Sequence, residues 1–176
     1  MLCSSDMAEL YFMRHAETEL NRQNVWMGRT DHRLNQNGVE QAQRAGAAMA
    51  SVQLARIYTS PLLRARQTAQ LVASRQAGPP LVIVLDGLIE RGFGDFEGML
   101  KTHLLRQLLE QDPTVEALHQ LKARLEEVML AIDDAAPVLV VSHSAVFKCL
   151  TQCLGYRVKP ERTTISNAER VRLFRP

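Results

Sequence analysis

The chain lacks the features that would place it in several large classes. It has three cysteines in 176 residues, an odd and sparse set that builds no disulfide framework and points to a reducing compartment. No apolar run approaches the ~20 residues of a membrane helix. Residues Met1 to Asp6 show no basic stretch followed by an apolar one, so neither a leader nor an anchor is expected. The expected location is the cytoplasm, with no membrane partner. Charge of one sign is also missing: 21 Lys and Arg stand against 19 Asp and Glu, for a formal net charge of +2. That balance gives no reason to expect a nucleic-acid partner. The basic residues Arg157, Lys159, Arg162, Arg170, Arg172 and Arg175 are expected to form a solvated surface. No glycine-rich loop ends in Lys-Ser or Lys-Thr, which argues against a P-loop nucleotide hydrolase. Cys149 and Cys153 lie four apart in an expected helix and read as small packed side chains. No histidine or cysteine pair completes a metal-ligand spacing, so no metal and no cofactor are expected. There is no internal repeat and no low-complexity stretch.

What is present is a normal apolar share of 46% and a length suited to one domain over 1–176. Strand-like and helix-like segments alternate. Strands are expected at 8–13, 55–59, 81–85 and 138–141. The apolar positions Val39, Ala42, Ala45, Ala48 and Met49 recur at helical spacing after Asn37-Gly38. Ser60-Pro61 looks like an N-cap and first residue of the next helix. Helices are expected at 99–110 and 114–132, split near Asp112-Pro113, and at 145–154, ended by Gly155. Thr163 to Ile165 and Val171 to Phe174 suggest a final hairpin or edge strands. Such alternation predicts an α/β fold: a three-layer sandwich whose mostly parallel sheet is flanked by helices on both faces.

The chemistry begins at Arg14-His15, where Leu10-Tyr11-Phe12-Met13 opens into a loop. His143 stands in a similar place after Val138-Leu139-Val140-Val141-Ser142. Two strand-end histidines in an α/β chain suggest one pocket at the carboxyl edge of one sheet. Phosphoryl transfer is governed by positioning and charge stabilisation. An arginine fork suits phosphoryl oxygens, and a neutral imidazole is a competent nucleophile near pH 7. Asn21 offers an amide donor, and Gly28 would allow close approach of backbone to a ligand. Arg64 lies near the start of a helix, where anions are favoured, with Arg66 as its competitor. His32, His103 and His119 carry no surrounding motif and are expected at surface or half-buried positions. Lys101 and His103 are partial exceptions, since both follow the loop at Glu90.

Taken together, these blocks resemble the histidine phosphatase superfamily, also called phosphoglycerate-mutase-like, on the side of its ribazole-phosphate phosphatases and small phosphomonoesterases. Arg14-His15-Ala16-Glu17-Thr18 is similar to its Arg-His-Gly-Glu-Thr signature. The run Gly28 to Gly38, then Ser60-Pro61, Arg64-Ala65 and Gln67-Thr68-Ala69 follow in the family's order. Glu90-Arg91-Gly92-Phe93-Gly94-Asp95-Phe96-Glu97-Gly98 is similar to its acid loop, Val141-Ser142-His143 to its second-histidine block, and Asn167-Ala168 to a C-terminal turn. The resemblance spans roughly residues 10 to 170. It implies that His15 is the nucleophile that becomes phosphohistidine, that Arg14 and Arg64 hold the phosphoryl oxygens, and that His143 stabilises charge in the transition state. Asn21 and the backbone at Gly28 and Ser144 would complete the cradle. Glu90 would be the general acid and then the base. Asp86, Asp95 and Glu97 are nearby alternatives for the acid, and Glu17 is expected to orient the loop.

Breaking a phosphate monoester requires a proton donor for the leaving alcohol. Burial would raise the Glu90 pKa and the neighbouring cations would lower it; the sequence leaves that contest open. The chain departs from the family at Ala16, which replaces glycine, at Met27, which replaces a hydroxyl residue of mutases, and at Ser144-Ala145. Alanine at 16 would be costly if that backbone required φ > 0.

Glu90-Arg91, Phe93-Gly94 and Lys101 echo the mutase form of the acid loop. Yet only Met99 to Thr114 separates that loop from the next helix, with Arg106 its sole arginine. A minimal cap leaves the phosphoenzyme open to water. The expected activity is therefore metal-independent hydrolysis of a phosphorylated small molecule. Mutase-type transfer, protein phosphohistidine phosphatase activity and a non-catalytic phospho-ligand binding module are the alternatives. Trp26, Met27, Phe93 and Phe96 are candidate substrate contacts or core. No oligomeric state is read from the sequence.

Overall fold

The computed structural model describes residues 9–176. The first residue of the expected strand at 8–13 and the stretch Met1 to Asp6, including Cys3, lie outside the described residues.

Five strands form one sheet in the order β3-β2-β4-β1-β5. They are β1 (Leu10–Arg14), β2 (Arg56–Thr59), β3 (Leu81–Val84), β4 (Val138–Ser142) and β5 (Arg170–Leu173). β1 pairs parallel with β4, β4 with β2, and β2 with β3; only β5 runs antiparallel, against β1. The helices are α1 (Glu19–Arg22), α2 (Gln36–Ala48), α3 (Leu63–Ala73), α4 (His103–Leu108), α5 (Leu118–Leu130) and α6 (Ser144–Gln152).

Alternation along the central strands explains the three layers. Successive side chains leave a strand on opposite faces. On β1, Leu10 and Phe12 join Val138 and Val140 in a core shared with Leu121, Leu125 and Met129 of α5 and Phe147 and Leu150 of α6. Tyr11 and Met13 join Leu139, Val141 and Ile57 in a second core with Ala65, Ala69 and Val72 of α3. A strand covered on both sides must be apolar throughout, which is why Val138 to Val141 shows no polar alternation.

Several expected boundaries shift, each for a local reason. α2 starts at Gln36 because Asn35 caps it, its side chain accepting from Gly38 N; Asn37-Gly38 therefore lies inside the first turn. Gly38 is required there, since a Cβ would sit 2.0 Å from the Glu17 carbonyl oxygen. α3 starts at Leu63 and Ser60 does not cap it: Leu62 is the N-cap residue, and the Leu63 N–H is taken by Asp31 Oδ1 at 2.7 Å. The expected helix at 99–110 contracts to α4 because Met99 to Lys101 runs extended beside Asn24 to Trp26, with Trp26 N to Met99 O at 2.9 Å and Lys101 N to Asn24 O at 2.8 Å. The helix expected at 114–132 begins only at Leu118. α6 starts one residue early and ends at Gln152 rather than Leu154. The expected hairpin partner at Thr163 to Ile165 is not a strand; β5 pairs with β1 instead. α1 is too short to show a period, yet it closes a capping box between Thr18 and Asn21.

Candidate active site

β1 and β4 are neighbours with Arg14 opposite Ser142, so His15 and His143 leave the same sheet edge on adjacent strands. The His15 amide donates to Ser142 O at 2.9 Å. The two imidazoles lie with centroids 5.2 Å apart, tilted by 57°, and both are buried.

The tautomer of His15 follows from its partner. Nδ1 lies 2.7 Å from the Ala16 carbonyl oxygen, which can only accept, so Nδ1 carries the proton and Nε2 keeps a lone pair. Burial, then the charges of Arg64 and Arg14, push this imidazole well below the usual histidine range. It is therefore neutral at pH 7. The loop is fixed by residues far away in sequence: Ala16 N donates to Thr68 Oγ1 at 3.0 Å, and Asn167 Nδ2 donates to His15 O at 2.9 Å. Neither Thr68 nor Asn167 stands out in the sequence beyond its motif block. Ala16 in place of glycine is no strain here. Among the described residues the non-glycine positions with positive φ are Asn24 and Ala168, and the Ala16 methyl packs with Leu34 and Ala42. Glu17 accepts from the side-chain amides of Asn35 and Asn37, consistent with orienting the loop.

Two guanidiniums face this histidine. Arg64 is 1% exposed and donates to Gly28 O at 2.7 Å and Thr30 O at 2.9 Å. Arg14 donates to Ile165 O at 3.1 Å. The Nε of each is buried without a partner, and among the described residues neither forms an ion pair. Burial lowers both pKa values, opposed by the nearby Glu90. A buried cation without a counter-charge is costly, and an anionic ligand would remove that cost. Arg66 is exposed and does not line the cleft, whereas Arg64 does. Gly28 holds φ at +50°, and a Cβ there would overlap the Glu97 carboxylate at 1.8 Å; its carbonyl serves Arg64.

Glu90 closes the other side. Its Oε1 accepts from Arg91 N at 2.9 Å and its Oε2 from Ala145 N at 3.5 Å. Burial raises its pKa; the Arg91 N–H and the charge of Arg64 oppose this and lose. The backbone beneath is pinned as well: Arg29 Nε and Arg124 Nη2 both donate to Glu90 O at 3.3 Å. Glu116 ties these arginines together, pairing with Arg29 at 3.1 Å and Arg124 at 2.8 Å. Arg91 grips Glu110 with two bonds of 2.7 and 2.9 Å, fastening the short cap to the loop. Glu97 is saturated by the N–H groups of Arg29, Thr30 and Phe93 and by the Thr30 hydroxyl. Burial works to raise its pKa, but these donors prevail and hold it below its ordinary value. Asp86 and Asp95 are exposed and do not line the cleft.

The cleft joins Arg14, His15, Asn21, Gly28, Arg64, Glu90 and Ser144 with Trp26, Met27, Phe93 and Lys101 at its walls. Its volume is about 30 Å³, far below the ~300–1,000 Å³ of sites that engulf a drug-sized ligand. Asn21 Oδ1 is occupied by Thr18 N at 3.1 Å and Asn167 Nδ2 at 3.2 Å, which turns its amide NH₂ to other use. Lys101 lies 5.1 Å from the Trp26 ring centroid; burial, then the charge of Arg14, lowers its pKa to about 8. His143 does not line the open cleft but lies fully buried, with Nε2 2.7 Å from Ser60 Oγ. His103 and His119 are exposed, His32 half-buried, and none reaches the cleft. Phe96 packs in the cap core rather than at the cleft. Among the described residues no cluster of three or more His, Cys, Asp or Glu could hold a metal, and no helix is long and apolar enough to cross a membrane.

Residues 10–173 match the model of the histidine phosphatase superfamily (branch 1). The chain is 33% identical to the uncharacterized phosphatase PhoE of Bacillus subtilis, over 92% of this chain and 86% of that one. It is 31% identical to a 2,3-bisphosphoglycerate-dependent phosphoglycerate mutase of Azorhizobium caulinodans, over 86% and 83%. The crystal structure of TTHB049 from Thermus thermophilus superimposes with a TM-score of 0.74 at 27% identity, covering 94% of this chain and 96% of that one. The chain belongs to the histidine phosphatase superfamily, branch 1.

Proposed function

We propose that this protein is a phosphomonoesterase that hydrolyses a phosphorylated small molecule through a phosphohistidine on His15. The observation that carries the reading is one small cleft holding a neutral histidine with a free Nε2, two guanidiniums that form no ion pair among the described residues, and a carboxyl whose pKa burial raises. In the first step His15 Nε2 attacks phosphorus as the ester P–O bond breaks, and the departing oxygen takes the proton of Glu90. Arg14 and Arg64 hold the equatorial oxygens. In the second step water attacks the phosphohistidine, Glu90 takes the water proton, and the P–N bond breaks to restore His15. Arginine charge supplies here what a metal ion supplies elsewhere, so no cofactor enters the scheme. The small cleft leaves the leaving group outside, against Trp26, Phe93 and Lys101. We place the enzyme, a single domain over 1–176, in the cytoplasm, in keeping with the free thiols Cys149 and Cys153.

A mutase reading is favoured by one observation, the lysine at the cleft wall: Lys101 could hold a second anionic group of a phosphorylated acid. Against it stands the small cap, in which α4 and one short turn lie between the acid loop and α5, and in which Arg91 is committed to Glu110. The deciding assay incubates the protein with 3-phosphoglycerate and with a panel of phosphorylated metabolites. Hydrolysis predicts free phosphate and an acid-labile labelled phosphoenzyme that is lost in His15→Ala. Isomerisation without free phosphate would transfer the assignment to the mutases.

A further inference from the structure

Ser60 is fully buried just past the end of β2, where the sequence pattern predicts a cap for α3. Its hydroxyl instead meets His143 Nε2 at 2.7 Å, 83 residues away in sequence. The same oxygen accepts from Leu62 N at 3.3 Å. Two proton arrangements are open to this contact. If Nε2 carried the proton, Ser60 Oγ would accept twice and its own hydrogen would lack an acceptor among the described residues. A buried hydroxyl left in that state is costly. If the hydroxyl donates to Nε2, every polar atom of the Ser60 side chain is used, and the proton of the neutral imidazole must sit on Nδ1. His143 Nδ1 is buried and has no protein partner.

We propose that Ser60 is a positioning residue: its hydroxyl holds His143 as the Nδ1–H tautomer, which makes His143 a neutral hydrogen-bond donor reserved for the transferring phosphoryl group. This rests on the phosphoryl-transfer reading given above. The neighbouring charges agree with a neutral ring: burial, then Arg64 and His15, hold the His143 pKa well below its ordinary value. The reverse tautomer would leave Nδ1 with a lone pair and no hydrogen to give. The two histidines then carry their protons in the same way, with Nδ1–H fixed on each by a different partner. In His15 the Ala16 carbonyl fixes it and leaves Nε2 to attack. In His143 the Ser60 hydroxyl fixes it and leaves Nδ1–H to donate.

The test has a spectroscopic and a kinetic arm. In the wild-type protein with ¹⁵N-labelled histidine, the His143 Nδ1 resonance should be that of a protonated ring nitrogen and Nε2 that of an unprotonated one. A protonated Nε2 would overturn the proposal, with no variant needed. In Ser60→Ala the imidazole is free to change tautomer, and kcat should fall on the order of 10², the loss seen when one transition-state donor is removed. KM should change little, because Arg14 and Arg64 hold the ground state. Wild-type kcat in a folded Ser60→Ala protein would equally overturn it. Failure of the wild-type enzyme to label His15 would strike the phosphatase reading instead; the tautomer spectrum is measured on the resting protein and decides the Ser60 role independently.

Discussion

Replacing Glu90 by glutamine isolates the proton from the shape. The side chain keeps its length, and its main chain stays held by Arg29 and Arg124. What disappears is the dissociable proton in a site where Arg91 N and Ala145 N face the carboxyl oxygens at 2.9 and 3.5 Å. General acid catalysis contributes about 10² to 10⁴ in rate, or ~2.7 to 5.4 kcal/mol of barrier. An alkyl phosphate, whose alkoxide must be protonated, should lose that whole factor in Glu90→Gln. A nitrophenyl phosphate needs no proton on its leaving group and should lose much less in the first step. Its phosphoenzyme should then accumulate, since the base for water is also gone, giving a burst of nitrophenol. Stopped-flow on the two substrates measures both effects. The variant makes a second demand. Burial raises the folded-state pKa of Glu90, so its contribution to stability is present below the unfolded carboxylate pKa and is lost as pH rises through the folded value. Glutamine escapes that loss but turns a donor NH₂ toward Arg91 N or Ala145 N, so the melting temperature of Glu90→Gln relative to wild type should fall as pH is lowered from neutral into acid. Equal losses on both substrates, or a stability difference between variant and wild type that does not change with pH, would refute Glu90 as a buried acid.

Other consequences are as direct. Lys101, with a pKa of about 8, loses its charge as pH rises through that value, so KM for an anionic substrate should climb above it; Lys101→Met should flatten the profile in initial-rate assays. Arg64→Lys cannot retain both Gly28 O and Thr30 O while presenting a fork, and kcat/KM should drop by about 10² to 10³. Asn167→Ala removes the bonds to His15 O and Asn21 Oδ1; kcat should fall about tenfold and the melting temperature by several degrees, each bond being worth ~0.5–1.5 kcal/mol. Vanadate should inhibit by mimicking the pentacoordinate phosphoryl state, with inhibition lost in Arg64→Lys when measured by competition against substrate.

Much of this protein is legible along the chain. Val138 to Val141 and Leu10 to Met13 announce buried strands because both faces of each are covered, and the residues that follow them stand at the sheet edge by necessity. Arg14, His15, Arg64, Glu90 and His143 are recognisable by the order of their blocks, and the structure gathers them at one place, His143 beneath the cleft rather than in its wall. Local boundaries are less readable. Asn35 rather than Asn37-Gly38 opens α2, and Met99 to Lys101 is drawn out of the expected helix by pairing with Asn24 to Trp26, a contact that no local pattern announces.

The sequence by itself therefore determined the α/β layering and the set of chemical groups, because strand burial, helical spacing and motif order are written between near neighbours. The tertiary structure decided their states. Whether the Glu90 pKa rises or falls depends on burial outweighing the Arg91 N–H and Arg64. Whether Arg64 or Arg66 faces the ligand depends on the side of α3 that meets the sheet. Whether Ser60 caps a helix or holds His143 depends on β2 lying beside β4. Desolvation and proton position arise from groups brought together across the sheet, and separation along the chain carries no record of that approach.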